Sequence, residues 1–196
     1  MITNAIPAAL TNPVHADLVV SQINTRLAAN LAWLTTAYGI AEKREKLEQD
    51  ATVQFPAIYA PSGAIEEYVD LRPDAQLGNY CFWNITNAQE DRLAGGRLHL
   101  ATYGIDLTFW YDFRDIYTAT ATEYQEHNNR NVMEQVVPLL NRGGFLNGNV
   151  EFTAAFERSE QIFAGYTIPE EIKTQYLMRP YGGFRISMTL RARPDC

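Results

Sequence analysis

Few residues of this sequence have the types and spacing that catalysis requires. The nearest approach to a carboxylate–imidazole site is the group Glu123, Glu126 and His127. Its spacing differs from the H-E-x-x-H and E-x-x-H patterns that direct several side chains at one metal ion. We therefore interpret the group as the polar face of a helix. A small-molecule-binding or enzymatic α+β domain stays open as an alternative, in which a deep pocket contains these three residues.

The other reactive residue types also lack a catalytic arrangement. The three histidines are His15, His99 and His127, and they lie far apart in sequence. The glycine pair at 143–144 lacks the Lys-Ser/Thr ending of a phosphate-binding loop, and the pair at 95–96 precedes a strand instead of a helix. No G-x-S-x-G sequence occurs, and neither cysteine has the neighbours of an activated thiol. We predict no catalytic, metal-binding or cofactor-binding residue and no enzyme.

The clearest structural signal is a strand within residues 97–113, where side chains alternate after an irregularity at Gly104. A period of two is typical of a strand with one face buried on a core. The set expected to point inward is Ile105, Leu107, Phe109, Tyr111 and Phe113. The set expected to point outward is Asp106, Thr108, Trp110 and Asp112.

This outward face supplies candidates for a subunit interface. Asp106 and Asp112 are six residues apart, which is roughly 20 Å along a strand and too far for shared acid–base catalysis. We predict that they are surface carboxylates or salt-bridge partners of Arg from another subunit. Trp110 is either covered by a loop or helix, which we favour, or an interface anchor. The C-terminal arginines Arg191 and Arg193 are the other interface candidates.

Helices and further strands can be placed around this strand. A helix over 12–39 is predicted from an apolar stripe with spacings of three and four: Val19, Ile23, Leu27, Leu31, Leu34 and Tyr38. A charged helical piece follows at 41–49, and a second main helix is predicted over 120–140, with its last turn disturbed by Pro138. Strands are predicted at these places: 53–55, 80–85, 150–156 and 184–190. The last strand is expected to pair with the strand at 105–113 or with the one at 150–156.

These elements predict an α+β fold, with a mainly antiparallel sheet and two main helices packed on one face. A chain of 196 residues is long enough for one core without disulfides or metal, so we expect a single structural domain, 1–196. An arm is expected at 1–11, and long loops are expected near 56–79, 86–96 and 158–178. The conformation of 158–178 stays open, because helical and extended patterns fit it equally well.

Composition narrows the class of protein. The net charge of −7 and the scattered basic residues argue against a general nucleic-acid binder, which needs clustered Lys and Arg. Thirteen of the sixteen basic residues are Arg, which indicates either protein interfaces or a genomic bias, with equal weight. No apolar run is long enough for a membrane span and no signal-peptide pattern occurs, so we expect no membrane association and synthesis in the cytosol. Cys81 and Cys196 are expected to be free thiols.

The order of elements resembles that of tail-terminator and neck-ring proteins of tailed bacteriophages: a long N-terminal helix, strands that end in FWYDF, a second helix and two closing strands. The central stretch is also similar to ring proteins of crAss-like phages, where a proline and tyrosine precede a Y-x-x-L-x-P-D turn and an aromatic strand. The residues that carry this similarity are Pro56, Tyr59, Tyr68, Leu71, Pro73, Asp74, Gly78, Asn79 and Phe82.

The resemblance implies a tail-terminator-like virion protein without catalytic residues. It would form a homo-oligomeric ring of six or twelve copies at the neck or tail and bind adjacent portal, neck or tail ring proteins. DNA would pass through its channel without specific binding. A head-completion, tail-tube or accessory virion protein is the alternative within the same class.

Overall fold

The chain forms two β-sheets and five α-helices among the residues that the structure describes. The computed structural model describes residues 15–48, 50–62, 65–92, 99–117, 129–141 and 148–192. The helices are α1 (His15–Asn30), α2 (Phe113–Ile116), α3 (Asn129–Asn141), α4 (Ser159–Ile162) and α5 (Glu170–Tyr176). The strands are β1 (Thr36–Ile40), β2 (Glu42–Glu48), β3 (Ala51–Ser62), β4 (Ile65–Asp70), β5 (Tyr80–Arg92), β6 (His99–Asp112), β7 (Gly148–Phe156) and β8 (Tyr181–Ala192). A short 3-10 helix, Ala75–Leu77, lies in the predicted turn between β4 and β5.

Five strands form the main sheet, in the order β1-β5-β6-β8-β7. β1 runs parallel to β5, and the other neighbouring pairs are antiparallel. β8 lies inside the sheet and pairs with β6 and with β7, so both of the pairings that the sequence left open occur. The predicted α+β class with a mainly antiparallel sheet is confirmed.

The two main helices, α1 and α3, pack on one face of the main sheet, as predicted. All of the residues of the β6 region that were expected to point inward belong to this helix-side core. The buried residues of α1 recur at helical spacing: Ala16, Val19, Val20, Ile23 and Leu27. Each large apolar side chain buried there stabilises the fold by about 1.5–3 kcal/mol relative to an exposed one.

The opposite face of the main sheet, the outer face, also carries a core near the start of β5. This outer core is formed by Ala41, Leu71, Tyr80, Phe82, Trp110, Ile162 and Phe163. The segment 158–178 supplies α4, α5 and two of those residues, so it is partly helical and lies on the sheet. Because this segment packs there, the side chains of Asp106 and Thr108 are buried, although the strand pattern predicted them to face outward.

The three remaining strands form the small sheet, in the order β2-β3-β4. β3 pairs with β2 through its first half and with β4 through its second half. β2 and β3 are antiparallel neighbours, and Asp50, just before β3, has a φ of 63°, a conformation that Asp tolerates. The prediction of a helical piece at 41–49 was wrong, because pairing with β3 overrides the helical preference of Glu and Lys.

Several predicted boundaries also differ from the structure. The first helix ends at Asn30, and Tyr38 lies in β1 instead. The range 86–96 was predicted as a loop, but β5 continues to Arg92 because it pairs with β6 up to His99. The loop predicted near 56–79 contains the second half of β3 and all of β4. Helix α3 continues through Pro138 to Asn141, while the predicted start near 120 lies outside the described residues.

The irregularity predicted at Gly104 is a bulge in the facing strand. Ile85 pairs with Ile105 and Asn87 pairs with Gly104, which leaves Thr86 as the extra residue. The Gly104 amide donates to Oδ1 of Asn87 at 2.7 Å. A Cβ atom at Gly104 would lie 2.5 Å from that oxygen, so glycine gives the Asn87 amide room to close over the bulge.

Asparagine side chains connect the layers. In α1, Asn24 donates to the Tyr38 carbonyl at 2.8 Å and accepts from Nε1 of Trp83 at 2.8 Å. Asn79 is buried, donates to the Trp33 carbonyl at 2.9 Å and accepts from the Asp112 amide at 2.8 Å. These amides fix the helix, the short strand β1 and the end of β6 relative to one another.

Candidate functional site

Trp110, the first interface candidate from the sequence, is covered. Its side chain is only 1% exposed. The indole Nε1 donates to the Tyr176 carbonyl at 2.7 Å, and the ring stacks on Tyr181 at 5.0 Å between centroids. Trp110 therefore holds the end of α5 on the main sheet. It is not available as a surface anchor, and the favoured interpretation, coverage by a helix, is confirmed.

The two arginine candidates have different outcomes. Arg191 is exposed on β8, and its guanidinium lies 3.9 Å from the carboxylate of Glu151 on β7. This weak contact leaves the Arg191 side chain accessible, so its interface role stays a prediction. Arg193 lies outside the described residues.

The carboxylates of β6 are bound within their own chain. Asp112 accepts from the Arg114 amide at 2.8 Å, caps α2 and forms an ion pair with the Arg114 guanidinium. Asp106 is buried, accepts from Oγ of Ser187 at 2.5 Å and lies 3.5 Å from Nη1 of Arg185. The prediction of a surface carboxylate was wrong for Asp106, because β8 covers it and supplies its partners. Asp112 is partly exposed, and its salt-bridge partner is Arg114 of its own chain.

Next to Asp106 the outer face carries two buried polar atoms, the Tyr166 hydroxyl and Nε of Arg185, that have no hydrogen-bond partner among the described residues. Burial, together with the nearby Asp106 carboxylate, raises the pKa of Tyr166 to about 12. The phenol therefore stays protonated at neutral pH. The phenol and the Arg185 guanidinium can donate hydrogen bonds at this place.

The other candidates for a reactive site are the Cys81 thiol, a metal-binding cluster and the group Glu123, Glu126 and His127. Burial raises the pKa of the Cys81 thiol far above its ordinary value, so this cysteine is inert. Within the described ranges, no three His, Cys, Asp or Glu side chains are placed to hold a metal ion. Glu123, Glu126, His127 and Cys196 lie outside those ranges. None of the described helices is long and apolar enough to cross a membrane.

The small sheet has the densest group of charges in the described part of the chain. We call it the charge clamp: Lys46, Glu48, Asp70 and Arg72. The Arg72 guanidinium is 8% exposed and binds both carboxylates, at 2.8 Å to Glu48 and 2.7 Å to Asp70. Lys46 binds the same carboxylates at 2.8 and 3.0 Å. The clamp therefore connects β2, β4 and the turn after β4.

Both clamp cations lie over the Phe55 ring, with Nζ of Lys46 at 4.8 Å and Cζ of Arg72 at 5.6 Å from its centroid. Hydrogen bonds from Arg72 and Lys46 lower the pKa of Glu48 to about 2. Hydrogen bonds to Glu48 and Asp70 outweigh burial and raise the pKa of Arg72. The four groups form ion pairs that connect β2 with β4 and the turn after it.

Beside the clamp, the small sheet exposes large side chains that we call the tyrosine strip: Arg44, Tyr59 and Tyr68. The two tyrosine rings meet edge to face at 5.5 Å, and Cζ of Arg44 lies 4.1 Å from the centre of the Tyr68 ring. The tyrosines are 44% and 39% exposed, and Leu47 on β2 is 71% exposed. Tyr, Arg and large apolar residues that are held in place and open to solvent are typical of protein-binding surfaces.

A groove of about 610 Å³ lies between the small sheet and the start of α5. Its lining includes Val53, Thr167 and three carboxylates, those of Glu48, Glu170 and Glu171. Thr167 also pairs with Gln54 of β3, since the Thr167 amide donates to the Gln54 carbonyl at 2.7 Å. The groove is thus the seam where segment 158–178 joins the small sheet.

The sequence did not predict the tyrosine strip. Tyr59 and Tyr68 were noted only for their resemblance to ring proteins, and Arg44 was placed on a helix. A usable signal was the residue pair at 49–50 between two runs of strand-forming length, which fits a two-residue hairpin. That turn would have placed 42–48 opposite 51–57.

No protein-family model matches the sequence, and no curated protein matches it significantly. The described residues form a main sheet with a core on each face and a small sheet that the charge clamp connects. The tyrosine strip of the small sheet is exposed.

Proposed function

We propose that this chain is a non-enzymatic structural protein of a tailed-phage virion, and that it forms a ring of six or twelve copies at the neck or tail. The ring would contact adjacent portal, neck or tail ring proteins and be assembled in the host cytoplasm. The observation that carries the proposal is the exposure of Tyr59 and Tyr68 on a sheet that the charge clamp keeps rigid.

Rigid presentation of aromatic side chains favours binding to protein. Tyr rings contribute a large contact area and lose little conformational freedom, so tyrosines that are already ordered bind at low entropic cost. The Arg44 contact and the Tyr59–Tyr68 contact order this strip before any partner arrives. Such a surface needs no catalytic residue to be useful.

The order of the described elements supports the phage setting. A long first helix, a hairpin of long strands, a second helix and two closing strands follow one another as in the resemblance to tail terminators. The net charge of −7 fits a channel wall that does not retain DNA.

The test is the mass of the purified full chain by native mass spectrometry, together with negative-stain electron microscopy. We expect closed particles of six or twelve copies. A variant carrying Tyr59→Ser and Tyr68→Ser should assemble less, because it loses the aromatic contact area. Met178→Ser is the matched control, since Met178 is also large, apolar and exposed but lies outside the small sheet.

A chain that stays monomeric at high concentration, alone and with purified portal and tail proteins, would overturn the proposal. The alternatives within the same class, a head-completion, tail-tube or accessory protein, differ in which ring the chain binds, so co-assembly with each ring separates them. Turnover of a small molecule that is lost on Glu126→Gln or His127→Ala would favour the enzymatic alternative.

A further inference from the structure

We propose that the outer edge of β7 receives residues 2–6 of a neighbouring copy as an added strand. The inference deepens the ring proposed above and rests on it. An exposed sheet edge offers free backbone amides and carbonyls to any extended segment, so proteins usually block the edges that they do not use. The edges of the two sheets differ in this respect.

The other edges are occupied or protected. On the main sheet, the Asn24 side chain takes the Tyr38 carbonyl at 2.8 Å and the Ala37 carbonyl at 3.4 Å, so α1 blocks the β1 edge. On the small sheet, six of the seven residues of β2 are charged, and three of the six residues of β4 are acidic. Charged side chains, Lys above all, are the usual protection of an edge.

Within the described part of the chain, no strand pairs with the outer edge of β7, and β7 lacks this charged protection. Its sequence, GNVEFTAAF, contains one charged residue, Glu151, and neither Lys nor Pro. Val150 and Phe152 are half-buried against the helix-side core. An added strand could cover the part of these apolar side chains that stays exposed. The pairing of β7 with β8 is regular from Gly148 to Phe152 and is interrupted between Phe152 and Ala154. The regular stretch available to a partner is therefore five residues long.

The first fourteen residues, which precede α1, have a matching composition. They contain no Asp, Glu, Lys or Arg. Ile2, Thr3 and Ile6 are strand-forming residues, and Pro7 would end a strand. The proline-free stretch 1–6 has six residues, close to the length of the regular part of β7. An uncharged segment suits an edge that carries a single carboxylate.

Contacts of α1 and Trp33 show at which end of the main sheet the N-terminus of α1 lies. Asn24 bonds to Trp83, whose partner on β6 is Leu107. Trp33, beyond the end of α1, packs on Tyr111 at 5.6 Å. The helix thus runs toward the Tyr111 end as residue number rises, and its N-terminus lies toward the opposite end. There β8 ends, at Ala192, opposite Gly148 of β7.

The connection is also long enough to reach another copy. Residues 7–14 would span up to about 26 Å when extended, at about 3.3 Å per residue. The same segment could fold back onto its own β7, so the experiment must separate exchange between copies from closure within one copy.

The experiment mixes two full-length variants, both with Cys196→Ser. One carries Thr3→Cys and the other carries Asn149→Cys, and a short bismaleimide joins thiols that lie close together. Cys81 is buried and will not react. We expect a cross-linked dimer in the mixture, with mass spectrometry identifying a 3–149 link. A Lys43→Cys partner on the protected β2 edge should give no link.

A second measurement uses Asn149→Lys, which gives β7 the protection that β2 has. We expect loss of the assembled particles, whereas Gln175→Lys, an equal change at an exposed residue of α5, should leave them intact. Particles that form normally without a 3–149 link, and that persist in Asn149→Lys, would overturn the added strand and leave the ring in place.

The remaining outcomes also distinguish between the added strand and the ring. A 3–149 link without closed particles would support the added strand and overturn the ring. A doubly substituted chain that links only to itself would show closure within one copy and overturn the exchange. Absence of both link and particles would overturn both proposals.

Discussion

The two sheets of this protein are stabilised in different ways. The main sheet buries large apolar side chains on both faces, whereas the small sheet has a layer of charges over one ring, Phe55. Hydrophobic burial is strong and has no direction, while ion pairs near the surface depend on geometry and on pH. The main sheet should therefore set global stability, and the small sheet should unfold locally when the charge clamp is weakened.

The largest expected effect is in the main sheet. Phe109 is fully buried and stacks on Phe184 at 4.8 Å. Phe109→Ala should lower the free energy of unfolding by about 3–5 kcal/mol, because a large cavity forms. Urea denaturation followed by tryptophan fluorescence measures this change. Tyr68→Ala on the small sheet should stay within about 0.5 kcal/mol, and equal losses at both sites would contradict the comparison.

The second effect tests the asparagine contacts. Asn79→Ala should cost about 2–3 kcal/mol, because the Asp112 amide and the Trp33 carbonyl lose their partner in a buried place. Denaturation gives the magnitude, and hydrogen exchange should rise first in β1. Asn149→Ala, at an exposed position, is the control and should be neutral. A neutral Asn79→Ala would show that water replaces the amide.

The third effect should be confined to the small sheet. Arg72→Leu removes the cation that binds Glu48 and Asp70 and should cost about 1–3 kcal/mol of local stability. Hydrogen exchange in β2, β3 and β4 should increase. Tryptophan fluorescence should not change, because Trp83 and Trp110 are buried in the cores of the main sheet and Trp33 packs against one of them.

The control for this prediction is Arg44→Leu, which removes a half-exposed cation of the tyrosine strip outside the clamp. It should increase exchange in the small sheet less than Arg72→Leu does, because Arg44 binds neither carboxylate of the clamp. Global unfolding of Arg72→Leu, with a loss of tryptophan signal, would show that the small sheet is not a separate unit.

The smallest effect is a dependence on pH. The pKa of Glu48 is lowered from 4.5 to about 2 in the folded protein. Its stabilising contribution is therefore complete above pH 4.5 and is lost as the pH falls toward 2. Exchange in the small sheet should rise across this window before the main sheet opens. Glu48→Gln should abolish the step, and Glu42→Gln on the same strand should retain it.

Sequence patterns correctly predicted the elements whose buried residues recur at a regular spacing along the chain. The alternation at Ile105–Phe113 and the helical spacing at Val19, Ile23 and Leu27 each reflect burial on one large core, and both were confirmed. An irregularity at Gly104 was also predicted, and the structure has a bulge in the facing strand there.

The patterns failed where a distant segment decides the environment. The range 42–48 has helix-forming residues, but β3 supplies backbone partners that only tertiary structure reveals. Trp110 lies on a face that looks polar in sequence, and α5 covers it from 66 residues away. Arg72, in a predicted turn, becomes the centre of the charge clamp for the same reason: its partner Glu48 lies 24 residues earlier.

The position of β8 also limits when the main sheet can form during synthesis. β8 fills the place between β6 and β7, and Ser187 binds Asp106, which is 81 residues earlier. During synthesis on the ribosome, β6 and β7 emerge before the strand that must lie between them. A nascent chain cannot complete its main sheet until residue 192 has left the exit tunnel.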